Sequence, residues 1–166
     1  MPRLPLPQRS LTYPEVGATA RRPLPPGYEH LEAQAVLGRG ERVFRDASER
    51  LSTWQLHRGA GLRVRASTPR AEQGSVVLLQ WGRLFRAPCR VVEVELGLRL
   101  VGFAYGTLQG HPERGEERFA IEWRDDDAVL LTIAAFSRPA TWWARLGAPV
   151  SRLVQRHLTG RYLRAL

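Results

Sequence analysis

The stretch V-G-F-A-Y-G-T-L-Q-G-H-P-E-R-G-E-E-R-F, from Val101 to Phe119, decides the fold of this chain. It links two predicted strands, 100–109 and 116–124, through a short turn that is rich in glycine and proline. Strands joined by a turn too short to hold a crossover helix run antiparallel. The stretch therefore predicts an antiparallel hairpin at the centre of a sheet.

Residue types alternate along the second strand of this hairpin. One face carries Glu117, Phe119, Ile121 and Trp123, and the other carries Glu116, Arg118, Ala120 and Glu122. Alternation of this kind is typical of an antiparallel sheet with one face on the core and one face in water. We therefore expect the face that carries Glu116 to be solvated.

The elements outside the hairpin continue the pattern. A strand over 28–37 is followed by one short helix over 41–54, and four further strands are predicted at 61–66, 75–84, 89–95 and 129–136. An apolar stripe from Trp142 to Leu158 predicts a long C-terminal helix, which Pro149 interrupts. Ser137, before Arg138 and Pro139, is placed to cap that helix. The fold class is α+β, a curved antiparallel sheet of about six to seven strands wrapped around the C-terminal helix.

The N-terminal 27 residues differ in composition from the rest. They hold seven of the 12 prolines and show neither helical nor strand periodicity. We interpret 1–27 as an extended proline-rich arm and 28–166 as a single domain.

Composition restricts the class of protein. The lone Cys89 excludes an internal disulfide, no secretory leader is recognisable, and no apolar run reaches the 18 or so residues of a membrane-spanning helix. These features predict a cytoplasmic protein without a transmembrane segment. The net charge is +9, but all 25 basic residues are arginine. This pattern indicates a preference for arginine over lysine throughout the chain, and it argues against a dedicated nucleic-acid surface.

Four stretches carry a family resemblance: L-T-Y-P-E-V-G-A-T at 11–19, the glycine-rich segment at 102–119, F-S-R-P at 136–139, and Q-R-H-L-T-G-R-Y-L at 155–163. Together they resemble uncharacterised protein family 0548, a domain of unknown function. The element order is similar to the START-like, or birch-pollen-allergen-like, helix-grip fold. That resemblance implies a hydrophobic ligand held between sheet and helix.

The main hypothesis is that a small hydrophobic or amphipathic molecule binds in a cavity between the sheet and the C-terminal helix. Aromatic residues would form the wall, and polar residues would act as hydrogen-bonding groups near the mouth. The candidate ligand-binding residues are Trp81, Phe103, Tyr105, Thr107, His111, Glu117, Phe119 and Thr132.

Two alternatives remain open. The same pocket would be an enzyme site if Tyr105, His111 and Glu117 converged to move a proton on the bound molecule. An arginine-rich surface would instead serve as an adaptor for nucleic acid or a membrane surface. His111 and the glutamates around it offer metal ligands, but glycine and proline place most of them in a turn, so we predict no metal and no cofactor. The oligomeric state is left open by the sequence.

Overall fold

The computed structural model describes residues 5–83, 85–140 and 159–162. Within them, seven strands form a single antiparallel sheet in the order β1-β7-β6-β5-β4-β3-β2. The strands are β1 (Glu29–Arg39), β2 (Arg63–Ala66), β3 (Val76–Trp81), β4 (Phe85–Leu96), β5 (Leu100–Thr107), β6 (Glu113–Trp123) and β7 (Ala128–Pro139). The predicted antiparallel sheet is thus confirmed, and β5 and β6 lie near its centre.

Two helices connect β1 to β2 and pack against one face of the sheet, which we call the helix face. They are α1 (Gly40–Ser52) and α2 (Gln55–Gly59). The predicted helix after the first strand is present as α1, but it ends at Ser52 and a second helix follows, because Trp54 has a φ of 65° that separates α1 from α2. A positive φ is unfavourable for a bulky residue, and the full burial of the indole offsets that cost.

The main core lies between the helices and the helix face. Every second residue of the central strands points into it, which is the period expected of a pleated strand. The fully buried members include Leu51, Trp54, Leu56, Phe119, Ile121, Leu131 and Ile133. The face of β6 that was predicted to be apolar is therefore the core face.

The N-terminal arm covers the opposite face of the sheet, which we call the arm face. Leu11 bridges Leu108, and Tyr13 packs with Phe136 and Leu24 in a second, smaller core. The ring of Tyr13 lies so close over Gly106 that a side chain there would collide with it. The arm is proline-rich, as the sequence indicates, but it packs on the sheet.

This packing corrects the prediction that the Glu116 face of β6 is solvated. Glu116 is 3% exposed, and its carboxylate accepts hydrogen bonds from the Tyr13 hydroxyl (2.6 Å), the Gly17 amide (2.8 Å) and both the amide and the hydroxyl of Thr19 (3.0 and 2.5 Å). All four donors come from the arm. Further along β6 the face does reach solvent at Glu122.

The long predicted C-terminal helix falls mostly on 141–158, outside the described residues. Residues 159–162 are helical, and the buried Tyr162 belongs to the main core. The expected helix cap at Ser137 was wrong: β7 continues to Pro139, and Ser137 pairs with Glu29 and Gly115. Strand pairing on both sides of β7 outweighs the local capping preference at that residue.

None of the helices in the described ranges combines the length and the apolar character that crossing a bilayer requires.

Candidate functional site

The candidate site lies on the helix face where β5 pairs with β6. Phe103 is directly opposite Phe119, and Tyr105 is directly opposite Glu117. Residues opposite each other in an antiparallel pair project from the same face with their Cβ atoms about 5 Å apart. The register alone therefore places three aromatic rings and one carboxylate side by side.

The imidazole of His57, from α2, lies at the centre of an aromatic cluster on this face. Its ring centroid is 5.0 to 5.9 Å from those of five neighbours, Trp54, Phe103, Tyr105, Phe119 and Tyr162. These rings come from the α1–α2 junction, β5, β6 and the helical segment 159–162. The cluster therefore ties the hairpin to the end of the chain.

His57 is completely buried, and neither ring nitrogen has a hydrogen-bond partner among the described residues. Burial, assisted by the neighbouring charge of Arg58, lowers its pKa to about 3, so the imidazole is neutral at physiological pH. Leaving buried polar atoms without partners costs free energy, and native structures do so rarely. Such a group is a candidate for contact with a bound molecule.

Glu117 is the charged member of the site. The Tyr105 hydroxyl donates a hydrogen bond of 2.8 Å to Oε2, while Oε1 has no hydrogen-bond partner within residues 5–83, 85–140 and 159–162. Burial raises the pKa of Glu117 to about 7; the bond from Tyr105 opposes this increase, and the charge of Glu113 adds to it. The side chain nevertheless keeps part of its surface accessible. A partly accessible carboxylate with one oxygen that lacks a partner among the described residues can accept a further hydrogen bond.

The two tyrosines beside Glu117 remain protonated. Burial, followed by the nearby carboxylate charge, raises the pKa of both Tyr105 and Tyr162 well above the ordinary value of 10. Their hydroxyls are therefore neutral hydrogen-bonding groups near Glu117. Cys89 also lies on the helix face and is buried, and burial raises its thiol pKa, so this cysteine packs as an apolar core residue.

Two of the predicted polar residues are held by other parts of the chain. Thr107 is 7% exposed, and its hydroxyl accepts from the Gly115 amide (3.0 Å) and lies 2.5 Å from the Thr12 hydroxyl. His111 accepts a hydrogen bond from the Glu113 amide at Nδ1 (2.9 Å), and burial lowers its pKa to about 4. Neither residue is hydrogen-bonded to Tyr105 or Glu117.

The remaining candidates lie farther from the site. Trp81 is on the helix face at the end of β3, two strands away from β5. Thr132 is on the arm face, where its hydroxyl accepts a bond of 3.1 Å from Gln34. The structure thus brings together Phe103, Tyr105, Glu117 and Phe119, and it does not bring Trp81, Thr107, His111 or Thr132 into hydrogen-bond contact with them.

Sequence reasoning missed His57 and Tyr162. His57 lies in a five-residue helix, α2, that follows the end of the predicted helix at 54, and a single histidine there carries no periodic signal of burial. Tyr162 belongs to the stretch at 155–163 that supports the family resemblance, which was the available signal for it.

A shallow groove of about 490 Å³ lies at the far end of β5 and β6. Four of its five charged side chains form ion pairs: Arg99 contacts Asp125 (3.1 Å) and covers the ring of Trp123, and Arg124 contacts Asp126 (3.8 Å). Among the described residues, no group of three or more His, Cys, Asp or Glu side chains is arranged to hold a metal ion.

Comparison of structures shows the fold. The hypothetical protein jhp0584 from Helicobacter pylori superposes with a TM-score of 0.69 over 99% of this chain and 96% of that one, at 11% identity. Norcoclaurine synthase from Thalictrum flavum superposes with a TM-score of 0.51 over 82% of this chain and 84% of its own, at 8% identity. A ginseng major latex-like protein also matches, at a TM-score of 0.48 and 15% identity over 82% of this chain and 98% of its own.

Comparison of sequences shows the family. Residues 12–165 match the family described as a domain of unknown function, DUF1990. A UPF0548 protein of Deinococcus radiodurans is 34% identical over 143 residues, which cover 78% of this chain and 72% of that protein. The match includes the arm from residue 12 onward as well as the sheet. The chain therefore belongs to the UPF0548 family, as its four sequence stretches predict.

Proposed function

We propose that this protein binds a small amphipathic molecule on the helix face, with the polar end of the molecule at Tyr105 and Glu117. The observation that carries the proposal is the incomplete hydrogen bonding of Glu117, whose Oε1 has no partner in the described part of the chain while the side chain remains partly accessible. A bound molecule would supply the missing partner.

The energetic cost of this arrangement supports a functional role. A carboxylate in an apolar environment is unfavourable unless it is paired or hydrogen-bonded, and here the cost appears as a pKa raised to about 7. A leucine or glutamine at this position would avoid that cost. Strongly shifted carboxyl groups in clefts are typical of binding and catalytic sites.

The apolar part of the site differs from the one expected from sequence. Phe103 and Phe119 are 2% and 0% exposed and pack against Trp54, His57 and Tyr162. They form the floor of the site, so the molecule would contact Tyr105, Glu117 and the surface above these rings. Norcoclaurine synthase, which shares the fold, was crystallised with dopamine and hydroxybenzaldehyde, so this fold holds small aromatic molecules in at least one protein.

Native mass spectrometry of gently purified protein tests the proposal. Wild type should carry an additional mass that is released on denaturation, and Glu117→Gln should lose most of it. Glu122→Gln is the matched control, because Glu122 lies on the same strand but is exposed on the arm face. A ligand-free wild type, or an adduct retained equally by Glu117→Gln, would contradict the proposal.

One observation favours a second candidate, an enzyme that moves a proton on the bound molecule. A carboxyl group with a pKa of about 7 is suited to act as a general base near neutral pH. His111 does not join Tyr105 and Glu117, so this candidate depends on those two residues alone. Incubating the released molecule with wild type and with Glu117→Gln, followed by liquid chromatography and mass spectrometry, would show whether Glu117 is needed for its conversion.

A further inference from the structure

We infer that the polar end of the bound molecule is a protonated amine. This inference rests on the proposed function and specifies the ligand class for the same site. Three features of the site support it: the charge around Glu117, the hydrogen-bonding groups nearby, and the aromatic rings.

The first feature is a carboxylate that no arginine among the described residues neutralises in an ion pair. The chain has 25 arginines against 16 acidic residues, and arginine pairs with carboxylates elsewhere, as in Arg118–Glu95 and Arg70–Glu49. None of the ion pairs within the described ranges includes Glu117. Glu113, on the same strand, adds a second negative charge to its surroundings. The local charge favours a cation and opposes a carboxylate ligand.

The second feature is the presence of hydrogen-bond acceptors without partners among the described residues. Oε1 of Glu117 accepts, and the neutral imidazole of His57 has one acceptor nitrogen and one donor nitrogen, neither of which has a partner there. Tyr105 connects the two, since its hydroxyl bonds to Glu117 and its ring centroid lies 5.7 Å from that of His57. An ammonium group has three donors and no acceptor, so it satisfies acceptors without leaving a lone pair of its own unpaired.

The third feature is the aromatic surface. The rings of Tyr105, Phe103, Phe119 and Tyr162 lie together on this face. Aromatic faces attract cations, and the attraction strengthens when water is excluded. Because Phe103 and Phe119 are buried, the amine would meet this cluster at Tyr105.

The inference can be tested with matched probes. Three apolar bodies, phenylethyl, indolylethyl and octyl, are each used with an ammonium, a hydroxyl and a carboxylate end, and binding is measured by isothermal titration calorimetry. For at least one body, the amine should bind about tenfold or more tighter than the alcohol and the carboxylate, as a charge-assisted hydrogen bond predicts. Glu117→Gln should weaken the affinity for the amine by about the same factor, and it should change the affinity for the alcohol by less than about twofold. Glu122→Gln should change neither.

The pH dependence provides a second readout. The described titratable groups around Glu117 are Tyr105, Tyr162, Cys89, Glu113 and His57, and the hydroxyls, the thiol and the imidazole stay neutral between pH 6 and 8. Ionisation of Glu117 through its pKa of about 7 should therefore raise amine affinity by roughly tenfold from pH 6 to pH 8 and leave alcohol affinity flat.

The outcomes separate this inference from the proposed function. Equal or tighter binding of an alcohol or carboxylate would overturn the amine class and leave ligand binding intact. Amine binding that is unchanged in Glu117→Gln would also overturn it. If no probe binds, the amine inference fails, while the mass-spectrometry experiment above decides separately whether the protein binds a ligand.

Discussion

Glu116 and Glu117 are neighbours on β6, yet their carboxylates lie in opposite environments. Glu116 points to the arm face and accepts four hydrogen bonds, all from the N-terminal arm. Glu117 points to the helix face and accepts one, from Tyr105, within the described residues. Glu116 is 3% exposed, whereas Glu117 is partly accessible, and burial raises the pKa of Glu117 to about 7.

The difference separates a structural carboxylate from a candidate functional one. A buried carboxylate stabilises the fold when the chain supplies donors to both of its oxygens, because those hydrogen bonds offset the free-energy cost of desolvation. Glu116 holds the arm on the sheet in this way. Glu117 lacks such donors in the described part of the chain, and we infer that the missing partner belongs to a ligand.

The largest expected effect is on stability at Glu116. Glu116→Ala would leave the Tyr13 hydroxyl, two backbone amides and the Thr19 hydroxyl without their acceptor, and it should lower the free energy of unfolding by roughly 3 kcal/mol or more. Urea denaturation measures this loss. Glu117→Gln is the comparison, and at pH 7 it should not lower the free energy of unfolding of ligand-free protein, because ionisation of the buried Glu117 disfavours the folded state. Equal losses of stability in the two variants would show that Glu117 is as important for the fold as Glu116.

The next effect is a gain in stability at His57. Replacing this buried imidazole with a phenyl ring keeps the aromatic packing and removes two polar atoms that lack partners among the described residues. His57→Phe should therefore raise the free energy of unfolding of ligand-free protein by about 1 kcal/mol. Thermal denaturation checks it, with His30→Phe at an exposed position as the control. A marked loss of stability would show that His57 has a structural partner.

A third effect is the pH dependence of the difference in stability between wild type and Glu117→Gln. The pKa of Glu117 is about 7 in the folded chain against an ordinary 4.5, so the folded state retains a proton that the unfolded state releases between these values. Stability of wild type due to this group therefore falls as pH rises from 4.5 to 7. His57 and His111, with lowered pKa values, act in the opposite direction below pH 6.5, but they are common to both proteins.

Subtracting the free energy of unfolding of wild type from that of Glu117→Gln at each pH isolates the contribution of Glu117 to the pH dependence. The stability difference should shift in favour of the variant from pH 5 to pH 7 and level off above that. Denaturation curves at pH 5, 6, 7 and 8 measure it. A difference independent of pH would show that the pKa of Glu117 is ordinary.

The smallest effect concerns Tyr105. The hydrogen bond from its hydroxyl favours the ionised form of Glu117, so Tyr105→Phe should raise the pKa of Glu117 further above about 7. Carbon NMR of the glutamate carboxyl group measures the shift, and Tyr28→Phe, whose hydroxyl bonds to Glu15, serves as control. A lowered or unchanged pKa in Tyr105→Phe would contradict the assigned bond.

Much of the sheet could be predicted because its strands and turns are determined by residues that are close together in the sequence. The period-two alternation along β6 identified Phe119 and Ile121 as core residues, and short turns between strands fixed the antiparallel pairing. The alternation misjudged Glu116, because its burial depends on donors about 100 residues earlier in the chain. Periodicity within a strand carries no information about such distant partners.

The candidate site was predicted only in part for the same reason. Tyr105 and Glu117 were named because they flank one turn, and the register places them opposite each other. His57 reaches the site because the positive φ of Trp54 redirects the chain into α2, which no helical pattern indicates. The apolar cavity expected around Phe103 and Phe119 depended on packing volumes, and in the structure those two rings are packed by their neighbours.

The most direct test of the account is a high-resolution crystal structure of gently purified protein, inspected around Oε1 of Glu117. The account predicts density for a small molecule with a donor group within about 3 Å of that oxygen. A side chain of the protein itself bonded to Oε1, with no unassigned density beside Tyr105 and Tyr162, would contradict it.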